Sequence, residues 1–346
     1  MAAPSPSPAA PPVRWGYLGA GFIAREALVP AAAAAPHAEL VAVASRSINR
    51  ARALVPAGGR AYDDYDALVA DPDVEAVYIS LTNELHRPWT IRALEAGKHV
   101  LCEKPLGMSV ADVRAMAAAA AASERLLVEA SWYRWHPRTQ RAIELLESGR
   151  FGRPVAIDAA FAFRGVAPEN FRWLRRHGGG ALYDLAAYPL AAALWATGRP
   201  PVEADDGVEA DDEVESLEAA VRWGPGGVDA STTVRVRLGA TVADVFMSID
   251  DDEDQHLAIR TEFGELTLSS PVFTSRDQPS SLTARRDDGT DTVLEDFGPV
   301  DPYVVMLDTV SRAVRGDRSA WVMPLAESLR TAELVEAVQA ASGPPP

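Results

Sequence analysis

Val13-Arg-Trp-Gly-Tyr-Leu-Gly19-Ala-Gly21-Phe-Ile-Ala24 decides the fold. Val13–Leu18 is a short β-rich run, and a helical pattern follows from Ile23 to Ala35. Between them lies G-x-G-x-x-A in the strand–turn–helix context that gives it meaning. Gly19 permits the tight turn, and Gly21 lets a pyrophosphate approach the backbone. The helix opening at Phe22, Ile23 and Ala24 then offers free N–H groups and a positive dipole end to phosphates. Working outward, strands are predicted at Glu39–Ser45, Val74–Ser80, Lys98–Cys102 and Leu126–Ala130, with a weaker one at Arg60–Tyr62. Helical stretches at Asn49–Val55, Tyr65–Ala70, Arg87–Ala96 and Val110–Ala122 separate them, the last preceded by Ser109 with Asp112 three residues on. Near-continuous apolar strands alternating with helices imply a parallel sheet covered on both faces. The expectation is an α/β chain opening with a doubly wound dinucleotide-binding domain.

After Ser131 the pattern changes. A helix at Arg138–Glu147 leads into a strand at Val155–Phe163, then a Gly178-Gly-Gly180 turn and a helix from Leu182 to Trp195. Strands follow at Ser216–Trp223, Ala230–Arg237, Val242–Ile249, Leu257–Glu262 and Glu265–Leu268, the last two joined at Phe263-Gly264. Two helices, Tyr303–Arg315 and Ala326–Ala341, close the chain. Successive strands without intervening helices predict a mostly antiparallel sheet. The division expected is a flexible Pro/Ala/Ser tail at 1–12, a nucleotide domain at 13–131 and an α+β substrate and oligomerisation domain at 132–342.

Charge and cysteine content narrow the function. The 346 residues carry 33 basic and 49 acidic side chains, a net charge of −16. That balance argues against nonspecific nucleic-acid or anionic membrane partners. The single cysteine, Cys102, rules out an intrachain disulfide and a Cys-rich zinc site. No apolar run reaches the roughly 18 residues a membrane helix needs, and the amino terminus has no signal-peptide pattern. A cytoplasmic protein is expected. The acidity concentrates in Glu203–Glu218 and Asp250–Asp254; the second lacks the spacing of a calcium loop, so no metal is assigned.

The end of the second strand indicates which dinucleotide binds. An NAD enzyme carries a carboxylate there for the ribose hydroxyls. This chain has Ala44-Ser45-Arg46-Ser47, then Asn49-Arg50. A hydroxyl with Arg46 and Arg50 suits the 2′-phosphate of NADP, so NADP(H) is favoured over NAD(H).

Four motifs in order resemble the Gfo/Idh/MocA oxidoreductase family over roughly Val13 to Ser342. They are Gly19-x-Gly21-x-x-Ala24, then Leu81-Thr82-Asn83-Glu84-Leu85-His86, then Glu103-Lys104-Pro105, and Gly178-Gly-Gly-Ala-Leu-Tyr-Asp184-Leu-Ala-Ala-Tyr188-Pro189. The resemblance implies a Rossmann domain followed by an α+β domain with an open-faced sheet, a homodimer or homotetramer built on that face, and a cis Lys104–Pro105 bond. It places the nicotinamide between the domains, with Thr82, Asn83, His86, Glu103 and Lys104 lining its end of the site. Tyr188, where polyol dehydrogenases often carry histidine, resembles the branch with dihydrodiol and xylose dehydrogenases and deoxysugar 3-ketoreductases.

Hydride transfer at a carbinol carbon leaves one proton to move, which needs a group of tunable pKa beside the oxygen. Lys104 is the acid–base candidate, and desolvation beside a cationic nicotinamide would depress its pKa. Asp184 would bind a substrate hydroxyl or orient Lys104; Tyr188 would donate to the substrate oxygen, share the acid role, or merely pack. If the segment is helical, Asp184 and Tyr188 share a face. Trp132, Tyr133 and Arg134 are placed near the cleft. Arg172, Trp173, Arg175, Arg176 and His177 form either a phosphate or nucleotide-sugar site or a solvated basic loop. Lys98, His37 and His256 read as structural or surface residues. The function expected is NADP(H)-dependent interconversion of a secondary alcohol and a ketone, or an aldose and a lactone, on a sugar, cyclic polyol or dihydrodiol. A non-catalytic NADP-binding sensor or sugar-binding regulator on the same fold is the alternative.

Overall fold

A computed structural model describes residues 10–197 and 214–345. Residues 1–9 of the proline-rich tail and 203–213 of the first acidic cluster lie outside the described residues. The first sheet contains β1 (Val13–Leu18), β2 (Ala38–Ala44), β3 (Arg60–Tyr62), β4 (Ala76–Ile79), β5 (His99–Cys102) and β6 (Leu127–Glu129). They run parallel in the order β3-β2-β1-β4-β5-β6. All four residues of β4 are buried, as a strand covered on both faces requires. The strand order reverses beside β1, and loops from the carboxyl ends of the strands meet at that edge, where open α/β sheets bind ligands. The first helix begins with a wider π-type turn over Ala24–Leu28 and continues as α-helix over Val29–Ala34. The Ser109 cap forms reciprocally: its hydroxyl accepts the Asp112 N–H at 3.1 Å, and the Asp112 carboxylate accepts the Met108 N–H at 3.2 Å.

The second sheet contains β7 (Pro154–Ala162), β8 (Val214–Trp223), β9 (Asp229–Leu238), β10 (Thr241–Ser248), β11 (Asp254–Thr261), β12 (Gly264–Leu268), β13 (Ser280–Arg286) and β14 (Thr292–Phe297). Its order is β14-β13-β12-β11-β7-β10-β9-β8. Only β7 with β10 is parallel. Alternation is plain in β9, where Val234 and Val236 are buried while Thr233, Arg235 and Arg237 are exposed. The inner face carries the helices Ala181–Leu185 and Pro189–Ala196. On the outer face Asp158, Arg235, Asp244 and Arg260 meet solvent.

Three features depart from the sequence reading. Strands β13 and β14 were not anticipated; they rest on weak alternation, with Leu282, Ala284 and Val293 as the buried positions. The helix expected from Leu182 to Trp195 breaks at Tyr188, whose φ −108° and ψ −88° are not helical. Pro189 explains the break, because its ring disfavours the helical region for the residue before it. Third, the helix Pro302–Val314 leaves the second sheet and packs on the first. There Ser311 accepts the Trp15 indole N–H at 3.0 Å, and Arg315 clasps Glu75. Contacts therefore do not divide simply at residue 131.

Candidate active site

The loop after β1 is shaped to receive a dinucleotide. Gly19 has φ +105°, and a Cβ there would stand 2.6 Å from the Ser80 carbonyl oxygen. Gly21 differs: a Cβ on it would meet nothing within 4 Å, so the space above it is open. This is the gap a pyrophosphate approaching the backbone needs. Arg50 folds back so that its guanidinium donates to the Ala20 carbonyl at 2.6 and 3.2 Å, at the lip of the same loop. Ser45 is buried and accepts the Ser47 N–H at 3.3 Å, whereas Arg46 is exposed beside it. Phe22 is 71% exposed at the mouth. The residues present fit a phosphorylated dinucleotide.

Lys104 follows β5, and its peptide bond to Pro105 is cis. Its ammonium donates to the Asp184 backbone carbonyl at 2.6 Å and to Asp184 Oδ1 at 2.9 Å. An ammonium has three N–H donors, so one remains for a third partner. The nitrogen also sits 5.2 Å from the centre of the Tyr188 ring. Asp184 receives a second cation, Arg172, whose Nε lies 2.6 Å from Oδ2. Burial favours the neutral form of both Lys104 and Asp184. Their mutual attraction, reinforced on Asp184 by Arg172, outweighs it. Asp184 is therefore held well below the usual carboxylate range, and the Lys104 ammonium above its ordinary value. This corrects the expected depression: the carboxylate partner overrides desolvation.

Tyr188 reaches the same cluster although the helix breaks there. Its hydroxyl accepts the Trp132 indole N–H at 3.0 Å. An indole is only a donor, so the tyrosine O–H proton is left to point elsewhere. Burial pushes the Tyr188 hydroxyl pKa up, while the Lys104 charge pulls against it. The Trp132 ring stacks on Tyr303, with centres 4.5 Å apart.

Other anticipated residues surround this cluster. His86 is fully buried, with Nδ1 2.8 Å from the Pro105 carbonyl and Nε2 3.1 Å from that of Leu81. Burial lowers its pKa. It braces the Lys104–Pro105 loop from within. Glu103 is also buried and accepts the Tyr78 hydroxyl at 2.5 Å; burial raises its pKa. Asn83 donates to the Gly178 carbonyl at 2.8 Å, and Thr82 donates to Glu84 at 2.8 Å. Glu84 in turn faces His177 Nδ1 at 2.6 Å. These contacts tie the loop after β4 to the glycine turn. Of the basic loop, Arg172 joins the cluster while Arg175 and Arg176 stay exposed. Arg134 turns away to pair with Glu327 between Trp195 and Trp321. Lys98 donates to the Asp71 and Val74 carbonyls, both at 2.7 Å, and is structural. Among the described residues no cluster of metal-ligating side chains occurs, and no helix is long and apolar enough to cross a membrane.

Residues 13–131 match the Gfo/Idh/MocA oxidoreductase family, NAD-binding Rossmann fold, and residues 139–267 match the Gfo/Idh/MocA C-terminal domain. An uncharacterized oxidoreductase of Rhizobium meliloti is 33% identical over 94% of this chain and 96% of its own length. The chain belongs to the Gfo/Idh/MocA family. A second member, D-xylose 1-dehydrogenase (NADP(+)) 2 of Haloferax volcanii, is 34% identical over 87% of this chain and 88% of its own. Among solved structures, a 3-ketoreductase from Actinomadura kijaniata in complex with NADP and TDP-benzene superposes with a TM-score of 0.78. It shares 27% identity and covers 96% of this chain and 98% of its own. The chain is thus an oxidoreductase with the two-sheet architecture of its family.

Proposed function

We propose that this chain interconverts a secondary alcohol and a ketone, or an aldose and a lactone, on a sugar, cyclic polyol or dihydrodiol, using NADP(H). The observation that carries the reading is the buried Lys104–Asp184 pair with one N–H on Lys104 uncommitted, beside a tyrosine hydroxyl whose proton is also free. Both groups are donors suited to one carbonyl oxygen. The xylose dehydrogenase named for NADP and the ketoreductase bound to NADP support the cofactor choice, as do Ser45 with Arg46 and Arg50 and no carboxylate after β2. The same reading includes a cytoplasmic location and a homo-oligomer formed through the open face of the second sheet.

A bound nicotinamide supplies or accepts the hydride. The protein moves the proton. In reduction Lys104 gives a proton to the developing alkoxide, and Tyr188 donates a hydrogen bond to the same oxygen. Asp184 keeps Lys104 oriented and charged, and Arg172 keeps Asp184 ionised. In oxidation the proton path reverses. The Gly19–Ala24 backbone would hold the pyrophosphate, and Ser45, Arg46 and Arg50 would hold the 2′-phosphate.

The test is titration with NADPH and NADH by nicotinamide fluorescence, then turnover on keto-sugars, aldoses, inositols and dihydrodiols with Lys104→Ala beside the parent. Expected are tighter NADPH binding, turnover on one substrate class, and a loss of about 10²–10⁴-fold in kcat for Lys104→Ala with NADPH binding kept. Binding with no turnover by the parent on any substrate would favour the sensor instead.

A further inference from the structure

We infer that Asp229, the first residue of β9, is a positioning residue that fixes the helix carrying Asp184 and so sets the Lys104–Asp184 geometry. The inference deepens the reading of Lys104 as the proton-transfer group. Asp184 belongs to a helix of only five residues, Ala181–Leu185. So short a helix satisfies few of its own backbone groups and is marginal alone. Its orientation must be imposed from outside. The residue before it, Gly180, has no side chain to cap it.

Asp229 supplies the cap from the neighbouring sheet. Its Oδ2 accepts the Leu182 backbone N–H at 2.7 Å and the Thr232 hydroxyl at 2.8 Å. Thr232 is fully buried, three residues along the same strand. Gly180 makes room for the carboxylate: a Cβ there would stand 2.0 Å from Asp229 Oδ1, and the backbone has φ +112°. Gly180, Asp229 and Thr232 are therefore mutually fitted around one helix end. Burial lifts the Asp229 carboxyl to about 6. Near neutrality it is thus mostly the ionised acceptor the cap uses. Asp229 makes no hydrogen bond to Lys104, Arg172 or Tyr188 among the described residues, so it acts on them through the helix.

The sequence provides its own reporter. Lysine occurs only at 98 and 104. An amine-acylating reagent followed by peptide mapping reads each separately in the full chain, and Lys98 serves as a control for general unfolding. In Asp229→Ala, Lys104 should acylate about five-fold faster or more as its ion pair loosens, with Lys98 unchanged. Where turnover is found, kcat should fall about ten-fold or more with NADPH binding kept, since small misplacements of a reacting group are costly. Asp229→Asn, whose amide oxygen still accepts the Leu182 N–H, should return both values toward the parent. Parental Lys104 acylation in Asp229→Ala, or no recovery in Asp229→Asn, overturns the inference. If Asp229→Ala unfolds and both lysines speed up together, Thr232→Val decides: a smaller rise confined to Lys104 supports the inference, and a parental rate overturns it. Acylation reads the geometry without turnover. A parent that turns over nothing defeats the proposed function and still leaves Asp229 to be judged.

Discussion

The proton on Lys104 is held by a carboxylate that stays ionised. Because Asp184 lies far below the usual carboxylate range and Lys104 above its ordinary value, the two remain a charged pair throughout the neutral range. In the proposed mechanism reduction consumes the Lys104 proton, so it should proceed with kcat/KM nearly flat between about pH 6 and 9. Oxidation needs the free amine, so its kcat/KM should climb about ten-fold per pH unit over the same span. Pairwise pH–rate profiles check this, and an oxidation rate already level at neutral pH would contradict it. The sequence indicated Lys104, Asp184 and Tyr188 as candidates through their motifs. It could not indicate the direction of the Lys104 shift, which depends on a 2.9 Å contact between residues 80 positions apart. Nor could it show Arg172 or Trp132 as partners, since neither lies near its contact in the chain.

At the scale of elements, the loop after β1 separates two kinds of glycine. Gly19 is required by the protein's own backbone, whereas at Gly21 the protein leaves the space open. Gly19→Ala should destabilise the fold by about 1–3 kcal/mol, through a strained φ and a clash with Ser80. Gly21→Ala should melt like the parent yet bind NADPH at least ten-fold more weakly, because its methyl fills the space a pyrophosphate would use. Thermal melts beside fluorescence titrations separate them. The strands of the first sheet were legible because burial on both faces makes them apolar runs. Strands β13 and β14 were not. Ser280-Ser-Leu-Thr-Ala-Arg-Arg286 buries only alternate, small or single large residues, and its polar positions mask the period. The break at Tyr188 has its signal in Pro189, but the largely apolar run Leu182–Trp195 carries the pattern of one continuous helix.

Over the whole molecule, Glu75 joins segments far apart in sequence. Arg14 at the start of the chain and Arg315 near its end both donate to it. The Arg315 hydrogen bond leads in holding its carboxyl down to about 2, against a partial burial cost. A carboxyl lowered in the folded state gives its full stabilisation above its ordinary pKa of 4.5 and loses it as pH falls toward 2. Glu75→Gln should therefore cost about 1–2 kcal/mol at pH 7, allowing for its partial exposure, and progressively less below pH 4. Urea melts at several pH values measure the difference; a penalty that does not shrink with acid would contradict the assignment.

The return of Pro302–Val314 to the first sheet also bears on how the protein is made. Trp15 is the third residue of β1, yet the hydroxyl that satisfies its indole belongs to Ser311, 296 residues later. Synthesis runs from the amino end, and domains usually close as they emerge. Here the first sheet cannot finish its core until the chain has been made past Ser311, so a sheet built early is sealed late.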